Sequence, residues 1–267
     1  MTAIGIFDSG VGGLTVFRAL RAALPAEDII YLGDTARVPY GTKSGTTVVR
    51  YSLQIARFLL QRRIKYLLIA CNTASAYAMD ALAEEVPVPL MGVVEPGAAM
   101  AASATSGGKV GVIGTLGTIS SGAYHRALHA IDPTLTVFGQ PCPLLVPLAE
   151  EGWVDHPVTS QVARHYLTEL RLQSGDLDTI VLGCTHYPLL KETLFAEAGV
   201  VFGHPVQLVD SAIAVSEAVK RDMERRGLLA SSGSGVDQFF FTDVSRFSEI
   251  AGRFLGRQIP RPEIADI

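Results

Sequence analysis

The stretch YLLIACNTAS at residues 66–75 contains the pattern that decides the fold class of this chain. An apolar run ends at Cys71, and the small polar residues that follow are suited to the first turn of a helix. The stretch TIVLGCTHYP at 179–188 repeats this order around Cys184. Strands that are apolar throughout are typical of parallel sheets whose two faces are both covered by helices.

Similar apolar runs recur along the chain and alternate with helical patterns. Amphipathic helices are predicted at 15–24 and 161–172, where apolar side chains recur on one face. This alternation predicts an α/β fold with mainly parallel sheets, in which ligands bind beyond the carboxyl ends of the strands. The predicted strands are 4–8, 29–33, 66–70, 88–93, 109–114, 136–139, 179–183, 206–209 and 238–242.

A weak internal repeat suggests that this architecture occurs twice. IGIFDS (4–9) is similar to VGVIGT (110–115), and IACNT (69–73) is similar to LGCTH (182–186). Each half therefore has a strand that ends near a small hydroxyl residue and a later strand that ends at a cysteine. We expect two similar α/β domains that face each other, although chance similarity between apolar strands would also explain the repeat.

The domain boundaries follow from the breaks between the predicted strands. We expect the first domain to comprise residues 1–95 and 206–267, and the second to comprise residues 96–205. EPGAAMAASATSGG (95–108) is expected to connect into the second domain, and GHP (203–205) is expected to return from it.

Composition excludes several classes of protein. Lys and Arg number 22 against 26 Asp and Glu, so no basic excess is present to bind a nucleic acid. The apolar runs are too short to span a membrane, and residues 1–8 read as a strand rather than a signal peptide. The widely spaced Cys71, Cys142 and Cys184 argue against a disulfide framework, and we expect a cytoplasmic protein.

Two loops at predicted strand ends could bind a small anion. DSGVGGL (8–14) would offer glycine flexibility and helix N–H groups to a carboxylate, but it lacks the dinucleotide and phosphate-loop spacings. GDTARVPYG (33–41) contains Asp34 and Tyr40, which could bind a ligand. An ordinary glycine turn and a packed tyrosine are the respective alternatives.

The two repeated cysteines are the main candidates for chemistry. A thiol near a helix N-terminus ionises more readily, and the setting of Cys71 recurs at Cys184. A buried, inert cysteine is the common alternative. We assign that alternative to Cys142, which lies between two prolines.

Three kinds of site could contain such a pair. Nucleophilic catalysis by Cys184 with His186 would leave Cys71 unexplained. A metal site is disfavoured because no CxxC or HxxxH pair is present. In a two-base proton transfer, one thiolate removes a proton from carbon and a thiol on the opposite face returns one. Only this third mechanism uses both cysteines.

Neighbouring acid–base groups could assist the cysteines. Asp8 is the candidate near Cys71 and His186 the candidate near Cys184, and Glu150 is a further one. The lysines lie outside the strand-end motifs, so no pyridoxal phosphate is expected. We expect no cofactor and no metal.

Taken together, these motifs resemble those of the glutamate racemase family over nearly the whole chain. The resemblance implies two domains related by pseudo-twofold symmetry, with the active site in the cleft between them. It also implies cofactor-free interconversion of L- and D-glutamate, a supply of D-glutamate for peptidoglycan, and a homodimer. The matching motifs are, in order, DSGVGGL (8–14), GDTARVPYG (33–41), ACNTAS (70–75), GVIGT (111–115), CPLLVPLAEEG (142–152) and LGCTHYPLL (182–190).

The resemblance further implies a role for individual residues. Cys71 would take the α-proton from D-glutamate and Cys184 from L-glutamate, assisted by Asp8, His186 and Glu150, with Glu151 as the alternative to Glu150. Activation by a peptidoglycan precursor, linked in some members to an N-terminal extension, is not expected because the chain starts at its first strand. The implied substrate-binding residues are Asp8, Ser9, Pro39, Tyr40, Gly41, Asn72, Thr73, Thr115, Thr118, Thr185 and His186.

Three other functions stay open at this point. A racemase for aspartate or another acidic substrate would share the two-cysteine chemistry. A cysteine hydrolase would need only Cys184 and His186. A non-catalytic amino-acid-binding protein would bind glutamate without exchange of its α-proton.

Overall fold

The computed structural model describes residues 2–231, 233–244, 247–259 and 262–267, which form two parallel sheets with helices packed against them. The strands are β1 Ala3–Asp8, β2 Asp28–Gly33, β3 Ile64–Ile69, β4 Leu90–Gly92, β5 Lys109–Gly114, β6 Thr136–Pro141, β7 Thr179–Gly183, β8 Gln207–Asp210, β9 Asp237–Phe241 and β10 Glu263–Ile264. The α-helices are α1 Leu14–Ala23, α2 Gly45–Leu60, α3 Asn72–Tyr77, α4 Met79–Glu85, α5 Val94–Ala104, α6 Leu116–Ser120, α7 Ala123–Ile131, α8 Leu145–Glu150, α9 Pro157–Ser174, α10 Lys191–Phe202, α11 Ser211–Arg225 and α12 Phe247–Leu255.

The two sheets share one strand order. In the part of the chain that the structure describes, the first sheet runs β10-β9-β2-β1-β3-β4 and the second β6-β5-β7-β8. The segment β2-β1-β3-β4 therefore corresponds strand for strand to β6-β5-β7-β8. The repeated motifs lie on corresponding strands, since IGIFDS and VGVIGT fall on β1 and β5, and both cysteines follow β3 or β7 directly. The predicted α/β fold with two similar parallel-sheet domains is confirmed.

Strand β1 explains why the strands are apolar throughout. Its six residues are all buried, because helices cover both faces of the sheet. Ile4 and Ile6 pack into one hydrophobic cluster, whereas Ala3 and Phe7 point to the opposite face and pack into another.

Both helices predicted from amphipathic patterns are present. Helix α1 buries Leu14, Val16, Phe17 and Leu20, as its apolar face predicts. Helix α9 is longer than the predicted range 161–172, because it begins at Pro157, a residue favoured in the first turn.

The chain changes sheet at a different place from the one predicted. The sequence predicts that residues 206–267 belong to the first domain, but β8 pairs in parallel with β7 in the second sheet. The return therefore follows Asp210 and runs through α11, which packs against both α1 and α5. The wider assignment of residues to two domains stays a prediction.

The segment 95–108 is also more ordered than a plain connection. Helix α5 occupies Val94–Ala104, and Val94, Ala98 and Ala101 are buried. The sequence pattern did not predict this helix, because its many alanines make the buried and exposed faces similar in hydrophobicity. Across the described ranges, no helix is both long and apolar enough to cross a lipid bilayer.

Candidate active site

A small cavity of about 40 Å³ lies where the carboxyl ends of the two sheets meet. Two larger cavities, of about 340 and 300 Å³, lie along α7 and contain neither Cys71 nor Cys184. The small cavity is lined by Ser9, Pro39, Tyr40, Gly41, Cys71, Asn72, Thr73, Thr115, Val146, Cys184, Thr185 and His186.

Cys71 lies at the start of α3, directly beyond β3. Its Sγ accepts a hydrogen bond from the backbone N–H of Ala74 at 3.4 Å. Burial, together with the negative charge of Asp8, raises the pKa of the Cys71 thiol to about 12. The Ala74 N–H and the Ser9 side chain oppose this rise. At neutral pH, Cys71 is therefore a neutral thiol, which can donate a proton.

Asp8 is fully buried at the end of β1, close behind Cys71. Burial raises the pKa of its carboxyl above the usual 3.8, although the charge of His186 and the backbone N–H groups of Gly13, Gly10 and Ser9 act in the opposite direction. Its Oδ2 accepts the Gly10 N–H at 3.0 Å. Oδ1 has no hydrogen-bond partner among the described residues. Oδ1 of Asp8 is therefore available to accept a hydrogen bond or a proton near the Cys71 thiol.

Cys184 has a different set of partners. Its Sγ lies 3.8 Å from Nδ1 of His186, and Nε2 of the same ring lies 2.9 Å from Oε1 of Glu150. Burial alone would lower the pKa of His186, but the hydrogen bonds with Cys184 and Glu150 outweigh it and raise the pKa to about 10. A protonated imidazole at this position stabilises negative charge on the Cys184 sulfur.

Three threonine hydroxyls form a closed triangle at the wall of the cavity. Thr73 Oγ1 lies 2.9 Å from Thr115 Oγ1 and 3.1 Å from Thr118 Oγ1, and the last two are 3.0 Å apart. Thr73 belongs to the first half and the other two to the second. The triangle therefore joins the halves with groups that can reorient toward a bound carboxylate.

Two glycines bring the halves into close contact. A Cβ at Gly12 would lie 2.4 Å from Thr185 Oγ1 and 2.5 Å from the His186 ring, and a Cβ at Gly41 would lie 2.6 Å from Thr115 Cβ. A larger side chain at either position would push the two halves apart, so glycine is required there for close approach rather than for a special backbone conformation.

The structure brings the predicted site residues together, though not all of them line the cavity. Asp8 lies behind Cys71, Glu150 contacts His186, and Thr118 lies behind the other two threonines. The Tyr40 side chain lines the cavity, but its hydroxyl donates to Asp34. A hydroxyl committed to Asp34 favours a packing role for the Tyr40 ring.

Sequence reasoning missed two residues of the site. Val146 lines the cavity from α8, and its spacing of four residues from Glu150 would have placed both on one helical face. Tyr124 donates from its hydroxyl to Asn72 Oδ1 at 2.7 Å, and no motif pointed to it. Cys142, assigned to the core, is fully buried and does not line the cavity.

Among the described residues, no group of three or more His, Cys, Asp or Glu side chains is arranged to hold a metal ion. Cys71 and Cys184 both line the cavity, each with its own polar partners.

Comparison with known proteins identifies the family of this chain. The sequence model of the Asp/Glu/Hydantoin racemase family matches residues 4–219. The chain belongs to this family. A glutamate racemase of Geobacter metallireducens is 53% identical over 259 residues, which is 96% of this chain and 94% of the relative.

Solved structures of the racemase family agree with the fold. A glutamate racemase isoform of Bacillus anthracis has a TM-score of 0.93 at 40% identity, covering 100% of this chain and 98% of that one. A glutamate racemase of Francisella tularensis, solved with D-glutamate, has a TM-score of 0.91 at 36% identity, covering 99% and 97%. The predicted membership of the racemase family is confirmed, and the chain is an isomerase.

Proposed function

We propose that this racemase acts on glutamate and inverts its α-carbon by two-base proton transfer between Cys71 and Cys184, without a cofactor. The observation that carries the proposal is that both thiols line one cavity from opposite halves of the molecule. Inversion of a stereocentre needs a base on one face of the carbon and an acid on the other. A hydrolase acting through Cys184 and His186 would leave the facing Cys71 unexplained.

The Cys184 side is arranged to start the reaction from L-glutamate. A protonated His186 stabilises the Cys184 thiolate, and Glu150 supports the proton on the ring. The thiolate takes the α-proton, and electrons pass into the adjacent carboxylate as the C–H bond breaks. Cys71, held as a neutral thiol, then donates its proton to the opposite face.

The Cys71 side is arranged to run the reverse reaction. Once Cys71 has given up its proton, the resulting thiolate faces D-glutamate and can take its α-proton. Asp8 can accept or return a proton near this thiol through its unpaired Oδ1. The two sulfurs thus exchange roles in each direction, as the symmetry of a racemisation requires.

The choice of glutamate rests on relatives whose names specify it, among them the one that is 53% identical to this chain. We further propose that the product D-glutamate supplies peptidoglycan synthesis in the cytoplasm, where three unpaired cysteines remain reduced. A homodimer stays the expected assembly.

The test is turnover of D-glutamate in D₂O without added pyridoxal phosphate. Circular dichroism follows inversion and NMR follows α-deuteration, in the wild type, Cys71→Ala and Cys184→Ala. Cys142→Ala is the matched control, because it removes a buried thiol outside the cavity.

We expect wild type and Cys142→Ala to invert and deuterate glutamate, and both other variants to lose inversion. Inversion by Cys71→Ala at the wild-type rate would contradict the two-base mechanism. Faster turnover of aspartate than glutamate would show an aspartate racemase. Binding without deuteration in the wild type would show a binding protein.

A further inference from the structure

Tyr124 is a buried tyrosine that contacts both halves of the active site without lining the small cavity. It lies in α7 and is 3% exposed. Its hydroxyl donates to Asn72 Oδ1 at 2.7 Å, across from the second half to the first. The ring lies under the end of β7, where a Cβ at Gly183, the residue before Cys184, would meet it at 3.3 Å.

The Asn72 side chain is left with one unpaired donor. Asn72 lines the cavity and is 2% exposed, and its Nδ2 has no hydrogen-bond partner among the described residues. An unpaired buried N–H group is costly, so such a group in a cavity indicates a ligand that will accept from it. A carboxylate oxygen is the acceptor that glutamate offers.

The Tyr124 hydroxyl decides which end of the amide faces the cavity. Burial raises the pKa of Tyr124 well above the usual 10, so the hydroxyl keeps its proton, although a hydrogen bond with Ser211 acts in the opposite direction. Because the hydroxyl donates to the amide oxygen, Oδ1 is held toward Tyr124 and Nδ2 is left for the substrate. Rotation of the amide would present an oxygen to a carboxylate, which is repulsive.

We propose that Tyr124 is a positioning residue, whose hydroxyl holds the Asn72 amide so that Nδ2 is presented to a carboxylate of glutamate. This inference rests on the proposed function. It assigns Tyr124 an effect on substrate affinity rather than on proton transfer, since the residue does not line the small cavity.

The kinetic test is a double-mutant cycle of Tyr124→Phe and Asn72→Ala in the full chain. Removal of the hydroxyl is expected to raise KM about 3- to 10-fold for both enantiomers, with kcat changed less than about twofold. In the Asn72→Ala background, the same change should alter KM less than about twofold. Tyr66→Phe is the matched control, because it also removes a buried tyrosine hydroxyl, one that donates to Asp222 at 3.0 Å.

The spectroscopic test does not depend on activity. Asn72 is the single asparagine in the 267 residues, so ¹⁵N-asparagine labelling gives one side-chain NH₂ signal. Titration with racemic glutamate is expected to shift this signal, with a Kd about 3- to 10-fold weaker in Tyr124→Phe.

The inference would be overturned by an unshifted signal at saturating glutamate, by an unchanged KM in Tyr124→Phe, or by equal KM changes in both backgrounds. An equal KM change in Tyr66→Phe would point to a general effect of losing a buried hydroxyl and would also overturn it. A wild type that binds glutamate but does not racemise it would instead refute the proposed function, and the titration would still test Tyr124.

Discussion

The surroundings of Cys71 and Cys184 differ although the strands that position them correspond. Each cysteine follows the equivalent strand of its sheet, β3 or β7, and each is 5% exposed. Cys71 has a buried carboxyl, Asp8, behind it, whereas Cys184 has an imidazole 3.8 Å away that is itself held by Glu150. The symmetry of the fold therefore extends to the sulfurs and not to their partners.

In the proposed mechanism, this difference makes Cys71 the acid and Cys184 the base when the reaction starts from L-glutamate. Burial and the negative charge of Asp8 raise the pKa of Cys71 and keep its proton in place, whereas the Cys184 sulfur lies 3.8 Å from the His186 ring. Two identical environments would give two thiols or two thiolates, and neither pair can invert a carbon in one pass.

The largest expected effects come from removing either sulfur. Cys71→Ala and Cys184→Ala should each lower kcat for racemisation by about 10³-fold or more, because one proton transfer loses its donor or acceptor. The remaining cysteine should still exchange the α-proton of one enantiomer in D₂O: L-glutamate in Cys71→Ala and D-glutamate in Cys184→Ala. Exchange of the opposite enantiomer, followed by NMR, would reverse the assignment of the two faces.

The next effects come from the assisting groups, Asp8 and His186. Asp8→Asn and His186→Asn should each lower kcat/KM by about 10²-fold. Because the equilibrium constant of a racemisation is one, kcat/KM must fall equally in both directions. Circular dichroism rates from each pure enantiomer measure this, and a loss below about threefold in either variant would remove that residue from the mechanism.

The same two variants should change stability with opposite signs. The raised pKa of Asp8 means that its stabilising contribution is present below about pH 3.8 and is lost as pH rises through the folded pKa. At pH 7 the buried carboxylate is therefore unfavourable, and Asp8→Asn should raise the free energy of unfolding by on the order of 1 kcal/mol. Urea unfolding of Asp8→Asn and wild type measures this, and a large loss of stability would contradict it.

The contribution of His186 should also be lost as pH rises, but over a higher pH range than that of Asp8. Its pKa is raised from 6.5 to about 10, so its contribution is fully present below about pH 6.5 and is lost as pH rises through about 10. The stability lost in His186→Asn should therefore shrink between pH 6.5 and 10. Thermal midpoints of both proteins across that range measure the difference, and a constant gap would show that packing, rather than charge, is responsible.

The smallest expected change in kcat distinguishes the roles of the adjacent Glu150 and Glu151. Glu150→Gln should lower kcat about 5- to 20-fold and move the alkaline limb of the pH profile to lower pH, because the His186 proton loses a partner. Glu151→Gln is the matched control, since Glu151 is exposed and makes no contact with His186 in the described residues. Equal effects of both variants would indicate a general charge effect.

Local sequence patterns were sufficient for most of the fold. Apolar runs located β1 to β9, and in the central strands β1, β2, β3, β5 and β7 burial on both faces leaves little room for polar residues. The sheet to which β8 belongs could not be predicted, since the sequence VQLV is compatible with either sheet. Only the pairing of β8 with β7 in the structure assigns it to the second sheet. Helix α5 was not predicted, because its buried face consists largely of alanine and glycine, which do not stand out as apolar in the sequence.

The features of the site also divide into those that the sequence predicts and those that only the structure reveals. The sequence by itself determined the two cysteines, their repeated strand-to-helix setting and the resemblance to a racemase family, because each depends on residues adjacent in the chain. Only the tertiary structure decided that Glu150 and not Glu151 reaches His186, that Thr73 meets Thr115, and that Tyr124 holds Asn72. Those contacts join residues 36 to 52 positions apart across packed helices and sheets, where side-chain direction and burial, rather than local pattern, set which groups meet.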